Sequence, residues 1–349
     1  MNILQVTRRF GPVGGMERYV WELTRELATM GHRLQVLCEK DLSTEALAGI
    51  EIHTLGAIPP KPRWLSHIRF SRRVHNWLAQ HRQADMIIHS HERLQDHHIT
   101  TFHGPPFAQI YDQPVWKRLS LRVRMNLWLE YRELFAPKVQ TVVPNSIRIA
   151  EQLKTYYPTV ECRLSTPVVP GVVPCPKRAS REIAADAGVI GFVGKEWKRK
   201  GLKMAIKVVS KLSETRPNLK FMVIGPSRKS IQPLFSTATF DYDLLGETDA
   251  RELYQQFDLL LHPARQEPYG MVITEALSAG IPVIISDVCG AATEVTRLNG
   301  TVLSLTAPPS VWTEAAEHWL THLTDQIDYS RGWFEVAKEY EKLYEQVRL

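Results

Sequence analysis

The chain has 349 residues, 44% apolar and 23% charged, with a formal charge of +6. That length supports two domains with separate cores, and the composition excludes a disordered chain. No run approaches the ~20 uninterrupted apolar residues of a membrane span, and Cys38, Cys162, Cys175 and Cys289 form no C-x-x-C pair for a zinc ribbon or redox motif.

In chain order, residues 2–7 read as a buried strand, 8–15 as a loop and 16–30 as a helix. Tyr19, Leu23 and Leu27 fall at helical spacing, and Gly31 is placed to stop the helix. Residues 34–38 read as the next strand, which completes the βαβ unit of a parallel sheet. Further strands are expected at 86–89, 99–102 and 139–144. Residues 164–180 are proline-rich, lack either period and read as a linker. The alternation then restarts, with strands at 189–193, 221–224, 259–262 and 283–286 and helices at 204–212, 250–256 and 274–279. Residues 332–347 form an amphipathic helix with Trp333, Val336, Ala337, Tyr340 and Tyr344 as its apolar stripe. The expectation is an α/β chain of two doubly wound, Rossmann-like domains, 1–165 and 181–331. A linker at 166–180 joins them, and a terminal helix at 332–349 packs back toward the first. Ligands of such sheets lie outside the carboxyl ends of the strands, so the expected site is a cleft between facing domains.

The most specific segment is Glu267-Pro268-Tyr269-Gly270-Met271-Val272-Ile273-Thr274-Glu275-Ala276-Leu277, followed by Gly280 and Pro282-Val283. Gly270 permits close backbone approach at a helix start, where the amides of Gly270, Met271 and Val272 would point at an anion. Glu267 precedes the helix and Glu275 lies about a turn inside it. Both can accept hydrogen bonds from the paired hydroxyls of a hexose and a ribose. The plainer reading is one glutamate stabilised by the helix dipole and one on the surface. A second loop, 191–201, carries Gly194, Lys195, Lys198, Arg199 and Lys200 between a strand and a helix. A third, Gly11-Pro12-Val13-Gly14-Gly15-Met16-Glu17, is neither G-x-G-x-x-G nor a Walker loop. His103 ends a strand. His89, His91, His97 and His98 are dense, but no cysteine or spaced carboxylate completes a metal set, so no metal is expected. Asp241-Tyr242-Asp243 matches the D-x-D of metal-dependent transferases and is read as chance.

The pattern Glu-Pro-x-Gly-x4-Glu-Ala-x3-Gly-x-Pro-Val resembles the E-x7-E motif of glycosyltransferase family four. The resemblance implies a GT-B fold, retention at the anomeric carbon, no metal or other cofactor, and a nucleotide sugar in the C-terminal domain. It implies that Glu267 touches the donor hexose and Glu275 the ribose. Lys195, where the family usually has arginine, and Lys200 would contact the diphosphate; Lys195 keeps the charge without the bidentate fork. Gly14, Gly15 and Glu17 match a G-G-x-E that closes over the donor, and His103 matches a histidine that positions the sugar. Gly194, Arg199, Gly225 and Leu245 complete the implied donor set, with 244–246 as a loop near the nucleobase. Lys198-Arg199-Lys200-Gly201-Leu202 and Val288-Cys289-Gly290 resemble the branch that builds bacterial lipopolysaccharide core.

The expected reaction is hexosyl transfer to a hydroxyl of a lipopolysaccharide-core or related cell-envelope glycan. UDP-hexose is the first choice of donor, with ADP-heptose and GDP-mannose open. Two basic, tryptophan-bearing stretches suit an anionic membrane surface: Arg63, Arg69, Arg72 and Arg73, then Lys117, Arg118, Arg122 and Arg124. No nucleic-acid signature is present. The start of the chain lacks the charge order of a secretory signal, so the expected location is the cytoplasm, with peripheral docking on the inner face of its membrane as an extension. Two rival readings are a GT-B sugar-nucleotide epimerase and a catalytically silent scaffold at the membrane. A nicotinamide-dependent oxidoreductase is disfavoured because the dinucleotide fingerprint is absent.

Overall fold

A computed structural model describes residues 1–43, 45, 47–322 and 327–348. The chain divides into two units, Met1–Gly171 with Trp333–Leu349, and Val172–Gly332.

The N-terminal unit contains β1 (Asn2–Phe10), α1 (Met16–Thr29), β2 (Arg33–Asp41), β3 (Ile50–Thr54), α2 (Arg63–His81), β4 (Met86–Ser90), β5 (Ile99–Phe102), α3 (Leu121–Phe135), β6 (Thr141–Pro144) and α4 (Ile147–Tyr156). Its sheet runs β3-β2-β1-β4-β5-β6, all parallel. Helices cover both faces of such a sheet, which is why its central strands are apolar runs rather than alternations. β1 is longer than its apolar run suggests and takes three residues from the expected loop. Phe10 is buried against Trp21, with ring centroids 5.1 Å apart, and Arg8 pairs with Glu39 on the neighbouring β2. The half-buried edge strand β3 has no counterpart in the sequence reading.

The C-terminal unit contains β7 (Ala187–Val193), α5 (Leu202–Leu212), β8 (Asn218–Ile224), the short α6 (Arg228–Ile231), β9 (Asp241–Gly246), β10 (Leu259–His262), α7 (Met271–Ser278), β11 (Val283–Ser286), β12 (Gly300–Leu303) and α8 (Pro309–Thr321). The sheet order is β12-β11-β10-β7-β8-β9, again parallel throughout. α5 and α8, the latter through Trp312, close one core over Ile190, Phe192 and Phe221. These two doubly wound sheets are the architecture expected from the sequence.

Two local expectations are corrected. Residues 250–256 are not an α-helix: a turn leads into a 3-10 helix at Tyr254–Gln256, and the buried Tyr254 side chain pins it by donating to Glu275 Oε2 at 2.8 Å. Residues 244–246 are not a loop but the end of the edge strand β9, because Tyr242 and Leu244 pack on the core. Asp243, on the other face, pairs with Lys220 at 2.8 Å. That ion pair gives the D-x-D match a structural role.

Residues 165–184 carry no regular structure, and the boundary between the units falls within them. Arg178 and Arg181 fasten this segment to the C-terminal unit through Asp258 Oδ1, at 2.6 and 2.8 Å. α9 (Trp333–Glu345) belongs to the N-terminal unit. It buries Trp333, Val336, Ala337, Tyr340 and Tyr344, the stripe read from the sequence. Among the described residues, no helix is long and apolar enough to cross a membrane.

Candidate functional site

In the C-terminal unit, β10 ends at the fully buried His262 and the chain turns to Glu267. This turn is stitched to the loop after β11. The Gly290 N–H donates to the Glu267 carbonyl at 3.0 Å, and the Ala291 N–H donates to that of Tyr269 at 2.9 Å. A Cβ at position 290 would lie 1.9 Å from the Pro268 carbonyl oxygen, so only glycine fits there. The result is a fixed carboxylate. Glu267 Oε2 lies 3.1 Å from Lys200 Nζ and 3.3 Å from His262 Nε2, and its Oε1 lies 3.4 Å from Arg199 Nη1. Burial pushes the Glu267 pKa up. Lys200, His262 and Arg199 together outweigh that and hold it well below the usual carboxylate range. Burial, with Lys200 and Arg199 nearby, lowers His262 in turn.

Lys200 reaches Glu267 across a glycine floor. A Cβ at Gly194 would fall 2.1 Å from Lys200 Cδ, so a side chain there would displace the lysine. Gly225 lies against the Gly194 backbone beside it. Gly270 caps α7, and the first-turn amides of Met271 and Val272 have no acceptor within that helix. Inside α7, Glu275 is buried and accepts from the Tyr254 hydroxyl. Lys195 is exposed and pairs with Glu247 rather than joining the Glu267 cluster. Leu245 is exposed on β9.

The N-terminal unit holds a cavity of about 1280 Å³ whose lining includes Arg9, Glu17, Arg63, Trp64, Glu92 and His103. Glu17 pairs with Arg9, and Gly14 and Gly15 are exposed in the short loop before α1. Burial lowers His103 to about 3, so its ring is neutral. Burial raises Glu92 to about 7, partly offset by the Arg8 N–H that it accepts at 3.2 Å. The dense histidines each have a protein partner. His97 meets the Glu133 carbonyl at 3.0 Å, and His98 Nδ1 accepts from the Ile88 N–H at 3.0 Å. His89 meets the Tyr344 hydroxyl and His91 meets Gln5, each at 2.8 Å.

The basic-aromatic stretches divide. Arg73 donates to the carbonyls of Leu55, Gly56 and Ala57, and Arg118 to those of Tyr111 and Gln113, so these two fasten loops rather than face outward. Trp116 and Leu119 are each 72% exposed, and Leu121, Trp128 and Tyr131 are exposed beside Arg122 and Arg124.

The fold thus gathers Lys200, Arg199 and Glu267, sets Gly194 and Gly225 beneath them, and leaves Lys195 at the margin. It adds His262 and Tyr254, which the sequence reading passed over. A polar residue closing the apolar run 259–262 was the available signal for His262; nothing local marked Tyr254.

Comparison with known proteins agrees with this fold. A family model described as "Glycosyl transferases group 1" matches residues 176–340, and one described as "Glycosyltransferase Family 4" matches 13–166. The lipopolysaccharide glucosyltransferase WaaG of Escherichia coli is 32% identical over 154 residues, 42% of this chain and 40% of that protein. The chain therefore matches less than half of that relative's length. The crystal structure of WaaG superposes with a TM-score of 0.77 at 20% identity, covering 99% of each chain. Anabaena Alr3699/HepE in complex with UDP superposes with a TM-score of 0.64 at 15% identity, covering 99% of this chain and 100% of that one. The fold is GT-B, and the chain belongs to the family-four glycosyltransferases, resembling those of lipopolysaccharide core.

Proposed function

We propose that this chain is a retaining hexosyltransferase that moves a hexose from a UDP-sugar to a hydroxyl of a lipopolysaccharide-core or related cell-envelope glycan. The observation that carries the reading is the ionised, buried Glu267, fixed by Lys200, Arg199 and His262 at the end of β10 beside the start of α7. Glu267 accepts from hexose hydroxyls and Glu275 from the ribose. In the chemical step the bond from C1 to the β-phosphate oxygen breaks, and a bond from the acceptor oxygen to C1 forms on the same face. The acceptor proton passes to the departing phosphate oxygen. Negative charge grows on the diphosphate as the first bond lengthens. Lys200, Lys195, Arg199 and the amides at Gly270, Met271 and Val272 are the donors that meet it, in place of a divalent metal. Gly14, Gly15 and Glu17 cover the donor, His103 positions the sugar, and Gly194, Gly225 and Leu245 shape its nucleotide pocket.

The UDP-hexose assignment is supported by the glucosyltransferase relative and the UDP-bound structural neighbour. The cavity in the N-terminal unit is the acceptor site in this reading. The exposed Trp116, Leu119 and Leu121 beside Arg122 and Arg124 dock the cytoplasmic enzyme on an anionic membrane surface.

The test is a transfer assay with UDP-glucose, UDP-galactose, ADP-heptose and GDP-mannose on a truncated core glycolipid, in the presence of chelator. An α-linked product from an α-linked donor is expected. An inverted linkage overturns the retaining step, and strict dependence on added magnesium or manganese overturns the metal-free site. Isomerised nucleotide sugar formed without acceptor makes the chain an epimerase. For the membrane surface, cosedimentation with anionic vesicles should fall when Trp116 and Leu119 are both changed to serine; unchanged binding removes that surface from the reading.

A further inference from the structure

Eight hydrogen bonds run in series from His103 to the Val168 carbonyl inside the N-terminal unit. His103 Nε2 lies 2.9 Å from His91 Nδ1, His91 Nε2 lies 2.8 Å from Gln5 Oε1, and Gln5 Nε2 lies 3.1 Å from the Tyr344 hydroxyl. That hydroxyl lies 2.8 Å from His89 Nδ1, and His89 Nε2 lies 2.8 Å from Thr101 Oγ1. Thr101 Oγ1 lies 2.6 Å from the Tyr340 hydroxyl, which lies 2.9 Å from that of Tyr19, and Tyr19 reaches the Val168 oxygen at 3.3 Å.

The direction of every proton follows from the last link. A carbonyl oxygen only accepts, so Tyr19 donates to Val168. A phenol has one proton, so Tyr340 donates to Tyr19, and by the same rule Thr101 donates to Tyr340. His89 Nε2–H must then donate to Thr101. Burial, with the neighbouring histidines, holds His89 and His91 well below the ordinary histidine pKa, so each ring is neutral with one N–H and one bare nitrogen. The bare His89 Nδ1 accepts from Tyr344, and Tyr344 accepts from the Gln5 amide nitrogen. That leaves the Gln5 oxygen to accept from His91 Nε2–H, so the bare His91 Nδ1 accepts from His103 Nε2–H. All eight links agree on one direction, and none requires a charged ring.

We infer that this relay locks His103 in a single tautomer, with the proton on Nε2 and a bare Nδ1 that accepts a hydrogen bond from a substrate hydroxyl. His103 lines the cavity, and its Nδ1 has no hydrogen-bond partner among the described residues. Gln5, His89, His91, Tyr340 and Tyr344 are positioning residues for it. Two of them lie on α9, more than two hundred residues away along the chain. The ligand selected is a hydroxyl that can donate, rather than an ether, a fluorine or a phosphate oxygen. This last step rests on the reading of His103 as a sugar-contacting group; the tautomer itself does not.

The experiment is a long-range ¹H–¹⁵N correlation spectrum of the ligand-free, histidine-labelled full chain, with His103 assigned by comparison with His103→Gln. The wild-type spectrum should show His91 and His103 solely as Nε2–H tautomers. Gln5→Leu removes the acceptor for His91 Nε2–H, so both residues should then populate both tautomers; Tyr344→Phe should do so to a smaller extent. A His103 Nδ1–H tautomer in the wild type, or an unchanged spectrum in folded Gln5→Leu, overturns the relay. Should Gln5→Leu fail to fold, the wild-type spectrum and Tyr344→Phe still decide. A confirmed tautomer together with full transfer activity in His103→Gln leaves the relay intact and removes His103 from the sugar site.

Discussion

Around Glu267 the C-terminal unit holds a buried carboxylate against two cations and a histidine. Around His103 the N-terminal unit does the opposite. His67, His89, His91, His97, His98 and His103 are all held below the ordinary histidine pKa by burial, while Glu92 and Glu133 are raised by it, so near pH 7 the rings are neutral, Glu133 is mostly protonated and Glu92 is at its midpoint. The first arrangement suits a ligand whose charge must be matched. The second suits one whose hydroxyl must be oriented. In the proposed reading the first meets the donor diphosphate and the second a sugar hydroxyl, and the two units can be tested separately.

The contrast breaks most sharply at Glu267. Glu267→Ala leaves Lys200 and Arg199 facing an emptied site, and removing one partner of a buried pair costs about 3–5 kcal/mol of stability. Turnover should fall as well, by roughly 10²- to 10³-fold, the scale for losing one preorganised electrostatic group; a folded Glu267→Ala with wild-type turnover would dismiss the charged cluster as chemistry. Lys200→Ala should lower turnover by about 10²-fold while changing nucleotide affinity much less. If kcat holds and only KM rises, Lys200 binds the donor without assisting the leaving group. Glu275→Ala should weaken nucleotide binding by roughly 10- to 10²-fold, in line with ~1.5–3 kcal/mol for a hydrogen bond to a charged group. Tyr254→Phe should lie below that, and calorimetric titration with UDP ranks the two.

The smallest expected effect sharpens the neutral side. The six histidines bind protons in the unfolded chain that they refuse in the folded one, so stability should rise with pH up to their ordinary value of 6.5. Glu92, at about 7, and Glu133, at about 8, keep protons that the unfolded chain has already lost above the ordinary 4.5. They therefore lower stability as pH rises, and above 6.5 they act without the histidines. Tm of the chain should peak near pH 6.5 and decline toward 8, and Glu133→Gln should flatten that decline. A variant whose Tm falls as steeply as the wild type's locates the pH response elsewhere.

What the sequence discloses follows the same division. The charged site is local: Lys200 and Arg199 share one loop, and Glu267, Gly270 and Glu275 share one short turn-and-helix segment, so spacing alone brings them to notice. The stripe of α9 is also local and appears in full at helical spacing. The neutral site is not. His89 lies on β4 with His91 just beyond its end, Thr101 comes from β5, Gln5 from β1 and two tyrosines from a helix at the far end of the chain, and no window of sequence contains their pattern. Tyr254 escaped for a related reason, since its meaning lies in the carboxylate that it meets and not in the turn that carries it. Strand β3 escaped because a half-buried edge strand lacks the unbroken apolar run that marked β1 and β2.

The placement of α9 also bears on how the protein is made. The N-terminal unit takes its last buried side chains, Tyr340 and Tyr344, from a segment that leaves the ribosome only after the whole of 172–332 has emerged. Domains are generally completed in order of synthesis. Here the first to begin is the last to finish, so the newborn N-terminal unit waits with an open groove along α1, and His103 acquires its fixed proton only once the whole C-terminal unit already exists.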